Sequence, residues 1–356
     1  MNIGINTLFL IPNRVGGTEY YTRSFLKHLE EQDKDNSYTV FCNKENFGTF
    51  EFKNKKWKKV LCPVNANSRV LRILYEQLIF PFVVGANKCN LLHSFGYFGP
   101  VMGKFKKIVT VHDANWKDCP DDVSPMQIFI MNILISLNIF VAKKIVTDSE
   151  FSKKRLISYF PNQKGKFEVI PGAIEDDFIE LLKKKDKPFV NGKYLLCVSK
   201  FYPHKKIPYL ISLFKEIEKI NKTVKLVLVG RDGNEEQKVI KMIEGDNRII
   251  HFEKAKYNDL VNLYKNASAF VFPSTYEGFG YPVYEALAAG SPVFVSDKRI
   301  YAKQYQDYLI NLSLKEISDS NLIVKFVNNK KYCIVLFSYQ KSVGRLIEIY
   351  QRIINS

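Results

Sequence analysis

Several signals that would indicate other protein classes are scarce or missing in this 356-residue sequence. Its six cysteines are dispersed and form no Cys-x-x-Cys pair, which argues against a disulfide framework or a zinc site and predicts buried, reduced thiols. The longest apolar run, Ile128 to Ala142, covers only about 15 residues and contains Asn132, Ser136 and Asn138. It is too short to span a bilayer, and we expect a buried helix here.

A leader segment and a metal-binding constellation are also missing. The first residues, MNIGINTLFLIP, show neither a basic leader nor a cleavage site, so we expect a buried first strand and a cytoplasmic protein. Asp121 and Asp122 are adjacent and would face opposite ways in an extended segment, so they do not form a pair of ligands. The sequence therefore predicts no metal site.

Positive charge and apolar material are abundant. Lys and Arg number 53 against 36 Asp and Glu, which gives a net charge of +17 spread over both halves of the chain. Such a field favours polyanions, namely nucleotide phosphates, anionic lipid surfaces or nucleic acid. Apolar residues make up 46% and aromatic residues 14%, so a chain of this length can build two cores, and global disorder is not expected.

Strand-like and helical patterns alternate along the chain. Short runs rich in β-branched or apolar residues, such as Leu91–Ser94 and Tyr194–Val198, are separated by segments with apolar residues at helical spacing. This alternation predicts an α/β protein with doubly wound, Rossmann-like domains. The charged stretch LLKKKDK at 181–187, followed by Pro188, interrupts the pattern and marks a domain boundary. We expect an N-terminal domain at 1–172, a C-terminal domain at 190–336 and a closing helix at 337–356.

The most informative segment is FVFPSTYEGFGYPVYEALAAGSPVFVSD, from Phe270 to Asp297. A strand ends before a glycine-bearing loop, Pro282 stands at the start of a helix, and Gly290 ends that helix. The first-turn amides of this helix, near Gly280 and Tyr281, would attract a phosphate. The segment therefore predicts an anion-binding helix start.

Two glutamates lie in this segment, Glu277 on the loop and Glu285 inside the helix. A carboxylate beside a phosphate repels it, so we expect these side chains to bind the hydroxyl groups of a sugar or a ribose. The E-x7-E spacing, with its flanking glycines and proline, resembles the hallmark of glycosyltransferase family 4, retaining enzymes of the GT-B fold. The resemblance implies that Glu277 contacts the donor sugar as a catalytic residue and that Glu285 contacts the ribose. It also implies two Rossmann-like domains facing each other across a cleft.

A second matching segment, CVSKFYPHKKIPYLI, looks like the family's loop after the first strand of the C-terminal domain. The resemblance implies that Ser199, Lys200 and Lys205 bind the donor, with Lys200 at a position where the family usually has arginine. Lysine neutralises a phosphate but lacks the bidentate fork of arginine. In the glutamate-bearing segment, the resemblance adds three donor-binding residues: Phe279, Gly280 and Tyr281.

Two matches fall in the N-terminal half. Gly16-Gly17 resembles the family's glycine loop, whose backbone N–H groups can approach the donor phosphate and the acceptor because no side chains intervene. The sequence TVHDA resembles the family's strand-end His-Asp, which implies that His112 lies beside the transferred sugar as a catalytic residue. We expect Asp113 to brace the loop.

Two further segments resemble architectural parts of the family. In SEFSKKRL, Ser149 is the expected N-cap of a helix, and FSYQKSVGRLIEIYQ looks like the closing helix that crosses back to the N-terminal domain. Residues 298–336 depart from the family's pattern, and this leaves acceptor-side and ribose-side details open.

The resemblance implies a retaining hexosyltransferase, mannosyltransferase-like, that uses a GDP- or UDP-linked sugar. Its acceptor would be a glycan or a lipid-linked acceptor in surface polysaccharide or glycoconjugate synthesis. No residue is placed by the sequence as a nucleophile, which is consistent with a front-face reaction assisted by lysines and helix amides. Neither a metal nor another cofactor is implied.

Other interpretations stay open. One is a GT-B enzyme of different chemistry, such as a sugar-nucleotide epimerase or a phosphorylase, although the E-x7-E loop argues against both. Another is a polyanion-binding protein, favoured by the cluster Lys53–Lys59, where Trp57 could stack on a base; no nucleic-acid module accompanies it. The same cluster and Lys104–Lys107 predict peripheral association with the inner face of the cytoplasmic membrane.

Overall fold

The computed structural model describes residues 1–14, 16–220, 222–312 and 337–355. The chain forms two compact units, one of residues 1–114, 125–172 and 337–356 and the other of residues 115–124 and 173–336. Each unit contains one parallel sheet with helices, so the predicted class of two Rossmann-like α/β domains is confirmed. The predicted 190–336 domain includes 313–336, which lie outside the described residues.

Parallel strands form the frame of both units. Along the chain the strands are β1 Asn2–Asn6, β2 Ser37–Cys42, β3 Trp57–Leu61, β4 Leu91–Ser94, β5 Lys106–Thr110, β6 Lys144–Thr147, β7 Phe167–Val169, β8 Tyr194–Val198, β9 Lys225–Val229, β10 Ile249–Phe252, β11 Ala269–Phe272, β12 Val293–Val295 and β13 Leu309–Asn311. The central strands β1, β4, β8 and β11 are almost entirely buried, and β8 and β11 are accordingly apolar along their whole length.

Twelve α-helices lie within the described ranges. They are α1 Gly17–Gln32, α2 Arg69–Leu78, α3 Phe80–Ala86, α4 Asn115–Asp118, α5 Pro125–Val141, α6 Glu150–Tyr159, α7 Asp176–Lys183, α8 Ile207–Ile220, α9 Glu236–Ile243, α10 Tyr257–Asn266, α11 Tyr281–Ala288 and α12 Tyr339–Asn355. The predicted N-cap of α6 is confirmed, because Ser149 Oγ accepts from the Ser152 N–H at 3.0 Å.

The first unit has the strand order β3-β2-β1-β4-β5-β6-β7. Ile3 of β1 lies opposite Tyr38 of β2 and Leu91 of β4, so the order of strands reverses at β1. Helix α12 belongs to this unit, where the Tyr339 ring packs edge to face on Phe25 with 5.6 Å between centroids. The C-terminal helix therefore completes the core of the unit that contains the N-terminus.

Helix α5 is not the buried helix that the sequence predicts. Only Ile135, Asn138 and Ile139 of its 17 residues are buried, whereas Phe129 and Phe140 are 62% and 70% exposed. Its apolar residues continue around the helix, so composition could not show which side packs on the sheet. Within the described ranges, no helix is both long and apolar enough to cross a membrane.

The second unit has the strand order β10-β9-β8-β11-β12-β13, which reverses at β8. Strand β8 pairs in parallel with β9 on one side and with β11 on the other. Open α/β sheets bind ligands at the carboxyl ends of their strands beside such a reversal. The residues that follow β8 and β11 therefore occupy the expected ligand position of this unit.

Residues 115–124 lie with the second unit, although the sequence-based division assigned all of 1–172 to the N-terminal domain. The segment is held there by long-range contacts. The Asn234 side chain donates to the Asp121 carbonyl at 2.6 Å, and Asp122 Oδ2 is 2.5 Å from His204 Nδ1. Because these partners lie far away in sequence, no local pattern could indicate the exchange.

Candidate active site

Two loops meet at the carboxyl edge of the second unit's sheet. One loop, 199–205, follows β8, and the other, 273–280, follows β11. The backbone N–H of Thr275 donates to the His204 carbonyl at 2.9 Å, which joins the two loops. The two segments that the sequence singles out for donor binding are thus brought together at the position where such sheets bind ligands.

Lys205 and Glu277 are in direct contact in this structure. The Lys205 ammonium lies 2.5 Å from Glu277 Oε1, and the two side chains are 16% and 9% exposed. Lys205 Nζ also lies 5.4 Å from the centre of the Phe272 ring at the end of β11. The pair places a cation and a carboxylate side by side at a shielded point, where electrostatic interactions are stronger than in water.

The start of α11 requires glycine at its N-cap. Gly280 has a φ of 87°, and a Cβ added there would lie 2.8 Å from the Tyr301 ring, so both the backbone and the space favour glycine. The neighbouring Phe279 and Tyr281 are buried and pack edge to face with 4.8 Å between ring centroids. These two side chains shape the turn that presents the first-turn amides of the helix, while their contact with a donor stays a prediction.

Glu285 lies one turn into α11 and is half-buried. Burial raises the pKa of its carboxyl to about 7, against a smaller opposing effect of the Tyr264 hydroxyl. The charged form is therefore disfavoured at this position. A ribose diol could donate two hydrogen bonds to the ionised carboxylate and stabilise it. The surroundings of Glu285 suit the role that the resemblance implies.

Lys200 lies among other charged groups. Burial, together with nearby Arg231 and Lys205, holds the pKa of the Lys200 ammonium below its usual value against the opposing effect of Asp232. Arg231 follows β9 and provides a guanidinium near Lys200, in whose loop the family usually has an arginine. The sequence-based predictions missed this residue. The Gly-Arg-Asp-Gly turn directly after a strand could have indicated it. Clustered positive charge of this kind favours an anionic ligand.

Ser199 braces the loop after β8. Its N–H donates to the Val229 carbonyl at 2.9 Å, and its Oγ donates to the Lys200 carbonyl at 2.8 Å. A Cβ added to Gly230 would lie only 1.9 Å from the Ser199 carbonyl oxygen, so the close approach of the two loops requires glycine there. Contact between Ser199 and a donor stays a prediction.

The predicted glycine loop of the first unit ends at a helix start. Gly16 is the N-cap of α1, with a φ of 68°, and Gly17 is the first helical residue. Glu19 in the first turn accepts from the Asn13 N–H at 2.8 Å and pairs with Arg23 at 2.9 Å, so its charge is partly balanced. Such a helix start suits an anion, and the contact of Gly16 and Gly17 with the donor phosphate stays a prediction.

His112 is buried, and both of its ring nitrogens are hydrogen-bonded. Nε2 lies 2.8 Å from the Phe95 carbonyl oxygen and therefore donates, while Nδ1 lies 2.8 Å from Asp148 Oδ2. Burial opposes a charge on the imidazole, but the Asp148 carboxylate outweighs it and raises the pKa of His112 above its ordinary value. A side-chain contact with a sugar would have to replace the bond to Phe95, so the predicted catalytic role stays a prediction.

Asp113 braces the loop as predicted, and its partner is a residue that sequence reasoning missed. The Tyr97 hydroxyl donates to Asp113 Oδ1 at 3.0 Å. Tyr97 has a φ of 68°, in the left-handed region that residues with a bulky side chain rarely adopt, and its ring centroid is 5.3 Å from that of His112. Backbone strain of this kind is concentrated at functional sites, which makes Tyr97 a candidate.

Three residues of types that can bind a metal lie close together in the second unit, and their separation in the sequence kept them from being predicted as a group. In the second unit, ligand atoms of Cys119, Asp122 and His204 lie within 4.8 Å of one another. His204 Nδ1 and Asp122 Oδ2 are only 2.5 Å apart, however. Two ligands of one tetrahedral zinc ion would be roughly 3.3 Å apart. This contact is therefore that of a His-Asp pair, and we assign no metal to it.

Asp33-Lys34-Asp35 in the first unit has an Asp-x-Asp spacing that the prediction of no metal site did not take into account. Asp33 Oδ1 accepts from the Asn36 N–H at 3.1 Å, and Oδ2 accepts from the Tyr38 hydroxyl at 2.6 Å. The buried Asp33 carboxylate thus holds the turn between α1 and β2, and these bonds account for its position.

The basic cluster Lys53–Lys59 is partly built into the sheet. Trp57 begins β3, is 6% exposed and stacks on Tyr38 with 4.2 Å between centroids, so the prediction that it could stack on a base is wrong. The Lys59 ammonium donates to two backbone carbonyls of the loop before β3. The polyanion-binding interpretation thereby loses the aromatic residue on which it depended.

Comparison with known proteins finds similarity to glycosyltransferases. Residues 178–327 match the family model described as glycosyl transferases group 1. The chain is 30% identical over 197 residues to the O-antigen chain mannosyltransferase RfbU of Salmonella typhimurium, covering 54% of this chain and 52% of that protein. It is 27% identical over 202 residues to the O-antigen chain mannosyltransferase B of Escherichia coli, covering 54% and 53%. The chain thus spans about half the length of these relatives.

Solved structures share the fold over the whole chain. Sucrose-phosphate synthase from Thermosynechococcus elongatus has a TM-score of 0.69 at 14% identity, covering 100% of this chain and 99% of that one. WaaG, a glycosyltransferase involved in lipopolysaccharide biosynthesis, has a TM-score of 0.68 at 13% identity, covering 98% and 99%. A putative UDP-N-acetylglucosamine 2-epimerase from Listeria monocytogenes has a TM-score of 0.61 at 11% identity, covering 100% and 97%. At these identities the similarity shows the fold alone.

Proposed function

We propose that this protein is a retaining glycosyltransferase that moves a hexose from a GDP- or UDP-linked sugar to a glycan or lipid-linked acceptor, in surface polysaccharide or glycoconjugate synthesis. The observation that carries the proposal is the contact of Glu277 with Lys205 at the carboxyl edge of the second unit's sheet. The match of this unit to glycosyl transferases group 1 supports sugar transfer. Both O-antigen relatives are mannosyltransferases, which favours mannose as the hexose.

The basic groups of this edge suit a diphosphate. Lys205 and Lys200 lie in the loop after β8, Arg231 lies after β9, and the first-turn amides of α11 face the same edge. A departing nucleoside diphosphate gains negative charge as its bond to the sugar breaks. Preorganised cations and amides stabilise that charge more in the transition state than in the ground state, which accelerates the reaction.

The two glutamates suit the sugar and the ribose. Glu277 is buried beside Lys205, where a carboxylate can stabilise positive charge that develops on the sugar ring. In the front-face reaction, the acceptor oxygen bonds to the anomeric carbon on the side from which the diphosphate departs. The acceptor proton passes to the departing diphosphate oxygen, so no protein nucleophile is required.

An epimerase is the second candidate, because the fold is shared with a putative epimerase. The two activities differ in their need for an acceptor. We expect free nucleoside diphosphate to be released only when donor and acceptor are both present, and donors can first be selected from GDP- and UDP-hexoses by thermal shift, since binding raises apparent stability. Conversion of the donor sugar without an acceptor would establish the epimerase instead.

We predict that transfer does not depend on a divalent metal, because Lys205, Lys200 and the α11 amides supply the positive charge that a metal would otherwise supply. Turnover should stay within about twofold of its initial value after prolonged treatment with excess EDTA. Complete loss that magnesium or manganese restores would contradict this mechanism. Loss restored only by zinc would direct attention to Cys119, Asp122 and His204.

A further inference from the structure

Helix α2 buries two charged side chains and exposes several apolar ones. Arg72 and Glu76 are the buried residues of this helix, and Glu76 accepts from the Asn6 side chain at 2.5 Å. Leu74 and Leu78 are 50% and 57% exposed. An amphipathic helix on a water-exposed surface has the opposite arrangement. Val70 and Leu71 in the first turn of α2 are exposed as well, and the apolar surface continues past the end of the helix on Ile79 and Phe82.

Helix α5 presents a second apolar stripe. All exposed residues of α5 are apolar, and none is charged. Five of them recur at spacings of three or four, so they lie along one side of the helix. These residues are Met126, Phe129, Ile133, Leu137 and Phe140, with exposed fractions between 43% and 70%.

The two helices border the same loop. The Gly99 carbonyl accepts from the Gln77 side chain of α2 at 3.0 Å and from the Asn138 side chain of α5 at 3.1 Å. The Gly99 N–H donates back to Asn138 Oδ1 at 3.0 Å. Met102, three residues further along this loop, is 61% exposed. The stripes of α2 and α5 and Met102 therefore form one region of the first unit, which we call the apolar face.

Within the segments that carry the apolar face, the exposed charged residues are all basic. In segments 69–88, 99–108 and 125–144, all of which the structure describes, the only acidic residue is the buried Glu76. Arg69, Lys88, Lys104 and Lys143 are exposed at the ends of the segments that carry the face. A second copy of this chain would bring the same positive rim against itself, whereas an anionic surface would complement it.

We propose that the apolar face docks on an anionic lipid bilayer, with its aromatic and aliphatic side chains in the interface and its basic rim at the headgroups. An apolar area of this extent is unusual on a protein surface exposed to water, and the combination of apolar side chains with basic residues is typical of helices that lie in a membrane interface. The proposal does not depend on the proposed function, because it requires neither donor nor acceptor.

This surface replaces the basic clusters that the sequence suggested for membrane contact. In the cluster Lys104–Lys107, the Lys106 ammonium donates to the Ile353 carbonyl at 2.7 Å, and the Lys107 ammonium donates to the Gly103 carbonyl at 3.0 Å. Only the exposed Lys104 of that cluster belongs to the rim. The apolar face would bind the membrane by inserting apolar side chains and by electrostatic attraction. The basic clusters would provide electrostatic attraction alone.

The test is sedimentation of the full chain with vesicles of phosphatidylcholine containing roughly 30 mol% phosphatidylglycerol, compared with pure phosphatidylcholine. Wild-type protein should bind the anionic vesicles, and less so at high salt. The variant Phe129→Ser/Leu137→Ser should bind at least about tenfold more weakly. Its matched control replaces residues of similar exposure in the second unit, Phe189→Ser/Ile240→Ser, and should bind within about twofold of wild type.

Charge reversal gives a second pair of variants. Lys104→Glu/Lys143→Glu at the rim should weaken binding about tenfold or more, whereas Lys53→Glu/Lys55→Glu should change it by less than about threefold. Circular dichroism of each variant shows whether it is folded. Equal binding of the apolar-face variant and wild type, or no binding to anionic vesicles, would overturn the proposal. So would a wild-type dimer that the Phe129→Ser/Leu137→Ser change converts to monomer, since a second copy would then occupy the face.

Discussion

Replacing Glu277 with glutamine is expected to lower kcat by about 10²–10³-fold while changing the Kd of the free nucleoside diphosphate by no more than about threefold. The free nucleotide lacks the sugar that Glu277 is proposed to contact. The carboxylate should matter most as the sugar ring gains positive charge, and an interaction that strengthens in the transition state affects turnover more than ground-state binding. Steady-state kinetics and calorimetric titration of each variant measure the two quantities.

The contact with Lys205 provides the control for this experiment. If Glu277 served only to hold Lys205, the changes Glu277→Gln and Lys205→Gln would weaken nucleotide binding alike. We expect them to differ: Lys205→Gln should weaken binding of the free nucleoside diphosphate about tenfold or more, because a charge-assisted bond to phosphate is lost. Loss of nucleotide affinity in Glu277→Gln, with turnover preserved, would reverse the proposed roles of Glu277 and Glu285. If neither change affects activity, the proposed site is wrong.

Replacing Glu285 with glutamine is expected to stabilise the folded protein and to weaken nucleotide binding. Burial raises the pKa of this carboxyl to about 7 from a reference value of 4.5. A carboxyl with a raised pKa favours the folded state only while it is protonated, so this contribution is lost as the pH rises from about 4.5 to about 7. At pH 8 the ionised Glu285 therefore destabilises the fold by about 3 kcal/mol.

The stability difference should depend on pH in a defined direction. Glu285→Gln should raise the free energy of unfolding by less than about 1 kcal/mol at pH 5 and by about 3 kcal/mol at pH 8. Denaturant unfolding of both proteins at the two pH values measures this difference. Glu244→Gln serves as a control, because the Glu244 side chain is exposed to solvent. A variant that is less stable than wild type at pH 8 would contradict the explanation.

Nucleotide binding should show the complementary dependence. If the ribose diol binds the ionised Glu285, the Kd of a GDP- or UDP-hexose should be about tenfold higher at pH 6 than at pH 8. A nucleotide sugar is the appropriate probe, since its diphosphate has no group that titrates in this range. In Glu285→Gln the dependence should disappear, and binding at pH 8 should be weaker by about 1–3 kcal/mol. Persistence of the dependence in the variant would show that another group is responsible.

The local elements were predictable from the sequence. The bounds of β4 and β8 agree with the predicted Leu91–Ser94 and Tyr194–Val198, because apolar runs between turn residues carry a local signal. The signals for helix ends are also local in the sequence. Ser149 caps α6, and Gly290, with a φ of 72°, follows the end of α11. Strand β3 was missed, since the lysines of an edge strand conceal the apolar pattern.

Candidate functional residues within one loop were also predictable, whereas contacts between residues far apart in the sequence were not. The spacing of Glu277 and Glu285 and the loop with Lys205 are visible in the sequence. The contact between Lys205 and Glu277 arises only because β8 and β11 are adjacent in the sheet, and Arg231 comes close because β9 lies on the other side of β8. His112 likewise acquires Asp148, which directly follows the adjacent strand β6.

Which side of a helix is exposed was likewise not predictable from the sequence. The sequence by itself determined that the apolar run at 128–142 is helical, because backbone preference and the period of apolar residues act over a few positions. It did not determine that α2 buries Arg72 and Glu76 or that α5 exposes Phe129 and Phe140. Which side of a helix is buried depends on the groups that the sheet and neighbouring loops present to it. Here Asn6 and Gly99 bind the polar side chains of the two helices, and only the tertiary structure decided that their apolar sides face outward.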